Sequence, residues 1–376
     1  MGTVTTTTSG LDGIVVADTR LSDVDGEAGR LTVAGYDVEA LALTHGFEEV
    51  CRLLWSAAGL GAAPLQDLPA RLGAARQEAF ALLPRLGSAL SAEDGMSALR
   101  TSMGHIEASG PLSVDQAIRV TGAVATFAAA WAAQRAGRPV VAPNPALSHA
   151  TDYLRMIRGE APSPALSKAL DAYLVTVADH GMNASTFTTR VVISTGSDLV
   201  SAIVAGLGAL KGPLHGGAPG PVLDMLEAVG QPDRAVAWLE GELVAGRRIM
   251  GMGHRIYRVR DPRAAVLEGA IERLEKAGVR TGRLELARAV EHAAEQVLSR
   301  RHPDRPLRAN VEFYTAVLLD TLGLDRAAFT PTFAVGRVAG WCAHAFEQAA
   351  TGRLIRPASR YTGVIPEVAN RVEARG

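Results

Sequence analysis

Residues 113–137 read SVDQAIRVTGAVATFAAAWAAQRAG, and this stretch decides the fold class. Ser113 followed by Gln116 has the form of a capping box, in which two side chains satisfy the first free N–H groups of a helix. Alanine loses no side-chain entropy in a helix, and Gly137 supplies the stop. No charge interrupts the run between Arg119 and Arg135. That run is shorter than the roughly 20 residues a bilayer span needs, so the spacing predicts a long buried helix and not a membrane segment.

The rest of the chain agrees. Its 376 residues are 48% hydrophobic and 20% charged, enough for a large core, while aromatics make up only 5%. Abundant Ala, Leu and Gly favour close-packed helices over sheets, which draw on aromatic and β-branched residues. Lys and Arg total 38 against 39 Asp and Glu, so no global basic field is available for nucleic acid or an anionic membrane. The two cysteines, Cys51 and Cys342, each lie in an apolar stretch. They build neither a disulfide framework nor a Cys-rich metal site, and a reducing cytoplasm suits them.

Further helices follow from the same signals. Phe47, Val50, Cys51 and Leu54 recur at helical spacing before Gly59 and Gly61. Helical segments are predicted over 164–180, 197–210 and 221–229, with a Pro-punctuated loop from Pro139 to Pro145. Asp261-Pro262 reads as N-cap and first helical residue, which puts Arg263 in a first turn. Strand–helix alternation is missing, so the fold class is all-α. One exception stands near the start, where Ile14-Val15-Val16 and Leu31-Thr32-Val33 flank an Asp25-Gly26 turn signal and predict a hairpin. Asp23, Asp25 and Glu27 belong to that turn, because a calcium loop would need further ligands. The Thr-rich segment Met1 to Gly10 lacks the features of a signal or transit peptide. Met1-Gly2 with Thr6 has the form of a myristoylation signal, without the basic patch or second anchor of a stable attachment.

Chemistry concentrates in a few Gly-rich or helix-terminal clusters. Asp179-His180-Gly181-Met182-Asn183-Ala184-Ser185-Thr186-Phe187 ends one helix with a polar cluster. Lys211 to Pro219 sets His215 among glycines that let a ligand approach the backbone. Gly251 to Arg263 combines a flexible glycine pair, His254 and several arginines, a density suited to an anion because guanidinium forks grip carboxylate and phosphate bidentately. Asn310-Val311-Glu312 opens an apolar helix with a carboxylate in its first turn. His344 and Glu347 share a helix face and read as a surface contact, and Gly206 to Gly212 fails as a dinucleotide fingerprint for want of a preceding strand.

Taken in order, six motifs resemble the citrate synthase family: Asn183-Ala-Ser-Thr-Phe, Lys211-Gly-Pro-Leu-His-Gly-Gly-Ala, Ile249-Met-Gly-Met-Gly-His-Arg-Ile-Tyr, Asp261-Pro-Arg, Asn310-Val-Glu-Phe-Tyr and Arg356-Pro-Ala-Ser. Gly10-Leu-Asp-Gly, Gly35-Tyr-Asp-Val-Glu and Phe47-Glu-Glu-Val are similar to the start of its short bacterial members, which include 2-methylcitrate synthases.

The resemblance implies a helical homodimer with a short N-terminal hairpin, a large domain of residues 1–216 and 325–376, and a small domain of residues 217–324 that closes over the substrates. It implies an acyltransferase that condenses acetyl-CoA with oxaloacetate through an enolate and citryl-CoA, with the coenzyme A ester as substrate and neither metal nor permanently bound cofactor. His215, His254 and Glu312 match catalytic positions. His180, Asn183, His254, Arg263 and Arg337 match oxaloacetate-binding positions, and Arg356 matches an arginine donated across the dimer interface. Arg258, Met250, Gly251 and Gly253 correspond to the coenzyme A site. Three positions depart from the usual pattern: Glu312 stands where Asp is common, Pro219 where Asn is common and Ala34 where Arg is frequent. A carboxylate survives at 312, but the extra methylene lengthens its reach by about 1.5 Å, enough to matter for rate. The alternatives to citrate formation are a 2-methylcitrate synthase using propionyl-CoA and a CoA-ester-binding paralogue with little activity.

Overall fold

In the computed structural model, residues 9–11, 13–61, 65–108, 110–216, 219–254, 256–279, 281–303 and 307–364 are described. The Met1-Gly2-Thr6 pattern lies outside them. The described residues form fifteen α-helices and one small antiparallel sheet. The helices are α1 (Val38–Thr44), α2 (Phe47–Ala57), α3 (Leu68–Ala81), α4 (Gly95–Met103), α5 (Val114–Arg135), α6 (His149–Arg158), α7 (Pro164–Val177) and α8 (Ala184–Ser194). They continue with α9 (Leu199–Leu210), α10 (Pro219–Val229), α11 (Ala235–Val244), α12 (Pro262–Lys276), α13 (Arg283–Arg301), α14 (Val311–Thr321) and α15 (Phe329–Thr351). The all-α class holds, and α5 is the predicted helix: the Ser113 side chain accepts from Gln116 N, and every residue from Val120 to Ala133 is buried.

The hairpin exists, but with a different first strand. Its strands are β1 (Ser22–Asp25), β2 (Arg30–Val33) and a short β3 (Tyr36–Asp37), in the order β1-β2-β3. Ser22 pairs with Val33 and Asp25 with Arg30. Ile14 and Val15 are exposed and unpaired, so their β propensity loses to the burial of Leu21, Leu31 and Val33, which anchor the sheet to the core. The turn reading of the acidic residues holds at Asp25, whose carboxylate accepts from Ala28 N.

Two further sequence readings are corrected. The segment after Asn183 is a full helix, α8, capped by the Asn183 side chain on Thr186 N. The His344–Glu347 pair is buried. Arg190 donates to Glu347 and faces His344 Nδ1 at 3.0 Å, while His344 Nε2 lies 3.2 Å from Asp179. A buried guanidinium needs such partners, which spacing along one helix does not reveal.

Helix α15 packs against α2, α5, α7, α8 and α9. Its approach to α7 depends on small residues, since a Cβ at Gly336 would come within 2.9 Å of Leu174 O. This closeness lets Arg337 Nε donate to Val177 O at 2.7 Å and places its guanidinium 5.0 Å over the Phe333 ring. No helix among the described residues is long and apolar enough to cross a membrane.

Candidate active site

Five helix ends and two loops converge on one cluster. His180 follows the end of α7 and is buried, with Nε2 3.1 Å from Tyr257 OH. Its ring meets that of His254 edge to face, with centroids 5.6 Å apart. Burial, with Arg263, Arg337 and His254 nearby, holds the His180 imidazole far below its ordinary range. Burial likewise raises the Tyr257 phenol, which therefore stays protonated.

His254 is held by its own loop. Ile256 N and Tyr257 N donate to His254 Nδ1 at 3.0 and 3.1 Å, which assigns the ring proton of the neutral form to Nε2. Burial, followed by the Arg263 charge, pushes this imidazole down to about 4, so it is neutral at physiological pH. Arg263 Nη2 stands 3.5 Å from His254 Nε2, so two donors face each other. Both groups can therefore donate to one shared acceptor oxygen.

Asp261 builds the other half of the site. It caps α12 through Arg263 N, grips the Arg263 guanidinium at 2.7 and 3.0 Å, and accepts from Val311 N at 3.2 Å beside Glu312. Burial opposes the Arg263 charge, but the Asp261 carboxylate more than offsets it and raises the group. Among the described residues no carboxylate grips Arg337 in this way, and burial lowers it to about 10 against the nearby Asp179 charge. Asn310 caps α14 on Glu312 N and donates to Gly253 O at 2.9 Å, while Asn310 N donates to Gly251 O. The helix carrying Glu312 and the loop carrying His254 are therefore bonded together.

The glycine pair read as flexible is instead pinned. Gly251 and Gly253 have φ of 72° and 86°, the left-handed region that side chains disfavour, and a Cβ at Gly251 would lie 2.9 Å from the Phe313 ring. Met250 is partly buried beside them, and the Arg258 side chain is half exposed, 4.0 Å from Glu27.

His215 lies on the turn after α9, with His215 N donating to Gly212 O. Its Nε2 is 2.8 Å from Ser185 Oγ, which accepts from Trp341 Nε1 and donates to Asn183 Oδ1 at 2.9 Å. Burial, then Arg337 and Arg263, pushes His215 down to about 4. Glu312 moves the opposite way: burial raises its carboxyl to about 7 despite the nearby Arg263, with Asp261 adding to the rise. Two neutral imidazoles, a poised carboxyl and two buried guanidinium groups share one site. That combination can remove a proton from carbon, stabilise the oxyanion formed and hold a dianion.

Sequence reading named the histidines, arginines and Glu312, but it gave no role to Ser185, Tyr257 or Trp341. Ser185 and Tyr257 lie inside the quoted motifs, and residues that close a histidine's hydrogen bond were the available signal. Asn183 spends its amide on the local turn: Oδ1 accepts from Thr186 N and Nδ2 lies 3.4 and 3.3 Å from His180 O and Gly181 O. Arg356 is not in the cluster. It is exposed and lines a separate cavity of about 830 Å³ with Ile14, Val16, Phe187 and Arg190.

Comparison with known proteins shows one family. The family model described as citrate synthase, C-terminal domain, matches residues 10–358. A citrate synthase of Haloferax volcanii is 38% identical over 94% of this chain and 95% of its own length. A 2-methylcitrate synthase of Mycobacterium tuberculosis is 37% identical over 94% of this chain and 90% of its own. Among solved structures, citrate synthase from Thermotoga maritima superposes with a TM-score of 0.81 at 32% identity, over 98% of this chain and 99% of that one. The Thermoplasma acidophilum citrate synthase, in ternary complex with carboxymethyl coenzyme A and oxaloacetate, gives 0.83 at 25% identity, over 96% of this chain and 98% of that one.

Proposed function

The chain belongs to the citrate synthase family of condensing transferases, and from that premise we propose that it joins acetyl-CoA to oxaloacetate, yielding citrate and free coenzyme A. The observation that carries this reading is the clustering of neutral His215, neutral His254 and Glu312, raised to about 7, around Arg263 and Arg337. A thioester methyl is a weak carbon acid, so its proton is removed only if the resulting enolate is stabilised.

Glu312 as carboxylate takes the methyl proton, and the C–H electron pair moves onto the thioester oxygen. His215 serves that oxygen as a neutral donor. To leave the ring proton on Nδ1 for the enolate, the Ser185 hydroxyl must turn from Asn183 Oδ1, to which it donates, toward His215 Nε2. The enol carbon then attacks the oxaloacetate ketone, whose oxygen accepts from Arg263 Nη2 and takes its proton from His254 Nε2. Water cleaves the citryl thioester and releases coenzyme A as the thiol. Written this way, the reaction calls for no resident metal or cofactor. His180, Arg263 and Arg337 receive the carboxylates, and Asn183 acts by holding Ser185. Arg258 and the backbone of Met250, Gly251 and Gly253 receive coenzyme A. In a homodimer, Arg356 of the partner subunit completes the oxaloacetate site, and residues 217–324 close on the remainder as a small domain. A reducing compartment such as the cytoplasm suits the two buried free thiols.

The testing experiment is thiol release with oxaloacetate and either acetyl-CoA or propionyl-CoA. Condensation with neither thioester would leave only the ligand-binding paralogue. A 2-methylcitrate synthase is the second reading, favoured by relatives of both names at nearly equal identity. One methylene in an apolar pocket is worth about 1–3 kcal/mol, so the ratio of kcat/KM values for the two thioesters decides between them. For the shared site, mixing Arg356→Ala with His254→Ala subunits should restore activity, because one site of the hybrid escapes both lesions. No recovery after verified subunit exchange would exclude it.

A further inference from the structure

We propose that strand β1 is a strap that sets the spacing between His180 and His254, with Ser22 and Gly26 as positioning residues at its two ends. The inference rests on the oxaloacetate reading of those histidines. At one end, Gly181 N donates to Ser22 Oγ at 2.9 Å, and the Ser22 hydroxyl in turn donates to Asp179. Both acceptor and donor flank His180. At the other end, Arg258 N donates to Gly26 O at 2.9 Å, on the loop that holds His254 through the amides of Ile256 and Tyr257.

The fit at this second end leaves no slack. A Cβ on Gly26 would lie 2.5 Å from Ile256 O and 2.9 Å from Ile256 Cγ2. A Cβ on Gly29 would collide with the Val259 side chain. From Ser22 to Asp25 the strand rises about 10 Å, at about 3.3 Å per residue, and every residue of it pairs with β2, with Gly26 opening the turn that follows. Leu21, Leu31 and Val33 are fully buried, so the strap is fixed to the core. A hydrogen-bonded strand resists stretching, so both histidine-bearing turns are referred to one rigid element. The hairpin is otherwise small and remote in sequence from either turn, and this contact gives it a part in catalysis. A site that must grip a dianion from two separate turns gains from such a fixed span, because misplacement near 1 Å can cost on the order of a hundredfold.

The test compares Gly26→Ala with Gly35→Ala in steady-state thiol release. Gly35 lies in the turn that joins β2 to β3 with φ of 87°, and a Cβ there meets nothing within 4 Å, so its replacement strains that turn without touching the His254 loop. Gly26→Ala should raise the oxaloacetate KM at least tenfold, change the acyl-CoA KM less than threefold, and speed amide exchange over residues 256–260. Gly35→Ala should lower Tm and leave both KM values within twofold. Ser22→Ala should also raise the oxaloacetate KM, and the double variant should fall short of the product of the two, since either cut slackens one strap. A folded Gly26→Ala enzyme with an unchanged oxaloacetate KM overturns the proposal. If that variant does not fold, an unchanged KM in Ser22→Ala does so. His254→Ala separates the two levels. If it keeps the oxaloacetate KM, the site reading fails and the strap falls with it, whereas its loss beside an unaffected Gly26→Ala removes the strap alone.

Discussion

His215 and His254 are both neutral imidazoles on tight loops, yet their rings are oriented by different means. His254 is fixed by main chain: the amides of Ile256 and Tyr257 bond Nδ1, so its tautomer follows from the local turn. His215 is fixed by a side chain, the Ser185 hydroxyl, supported by Trp341 and Asn183 from elsewhere in the sequence. The difference teaches which half of the chemistry is open to mutation. Main-chain donors persist under almost any substitution, whereas a single hydroxyl is lost with one atom. The ketone side is therefore robust and the enolate side is exposed.

The largest effect should come from the base that serves both halves. Glu312→Gln should lower condensation and exchange of the acyl α-protons by on the order of a thousandfold, with oxaloacetate affinity nearly intact, because the amide keeps the shape and accepts no proton. Glu312→Asp should also lose activity if the site is built around the longer side chain, and a gain would mark an impaired site. With the carboxyl at about 7 and both histidines at about 4, kcat/KM of the free enzyme should fall tenfold per pH unit below 7 through Glu312 alone. Stability has two opposing parts. The histidines bind fewer protons folded than unfolded, so their contribution is lost as pH falls from about 6.5 to 4. Glu312 binds more protons folded, so its part is lost as pH rises from 4.5 to about 7. Chemical denaturation across that range in wild type and Glu312→Gln separates the two.

Next in size is Ser185→Ala, which should cost about ten- to a hundredfold in kcat and leave the oxaloacetate KM unchanged. A rise in that KM with kcat preserved would break the division between the two histidines. Tyr257→Phe removes the hydroxyl at His180 and should raise the oxaloacetate KM about fivefold, the worth of one neutral hydrogen bond of about 1 kcal/mol, read in the same assay. Arg258→Ala should do least. Its half-exposed side chain warrants about a threefold rise in the acyl-CoA KM, with the oxaloacetate KM unmoved.

What the sequence determined by itself was local. Helix periodicity and the caps at Ser113 and Asp261 act within a few residues, so the helical class and the chemistry-bearing loops were legible. The ordered motifs then supplied the family. Tertiary structure decided everything that depends on partners distant along the chain. Ser185 meets His215 and Trp341 across 30 and 156 positions, and Arg190 finds Glu347 across 157. The poorly β-forming Ser22–Asp25 displaced Ile14–Val16 as the first strand because its neighbours bury their side chains and Ser22 bonds the His180 corner. Glu312 gained its raised carboxyl only by being folded away from water beside Asp261, against the pull of Arg263 and Arg337. Propensity and capping are properties of adjacent residues, while burial and charge partnership belong to the packed chain, and the histidines' protonation follows from the second.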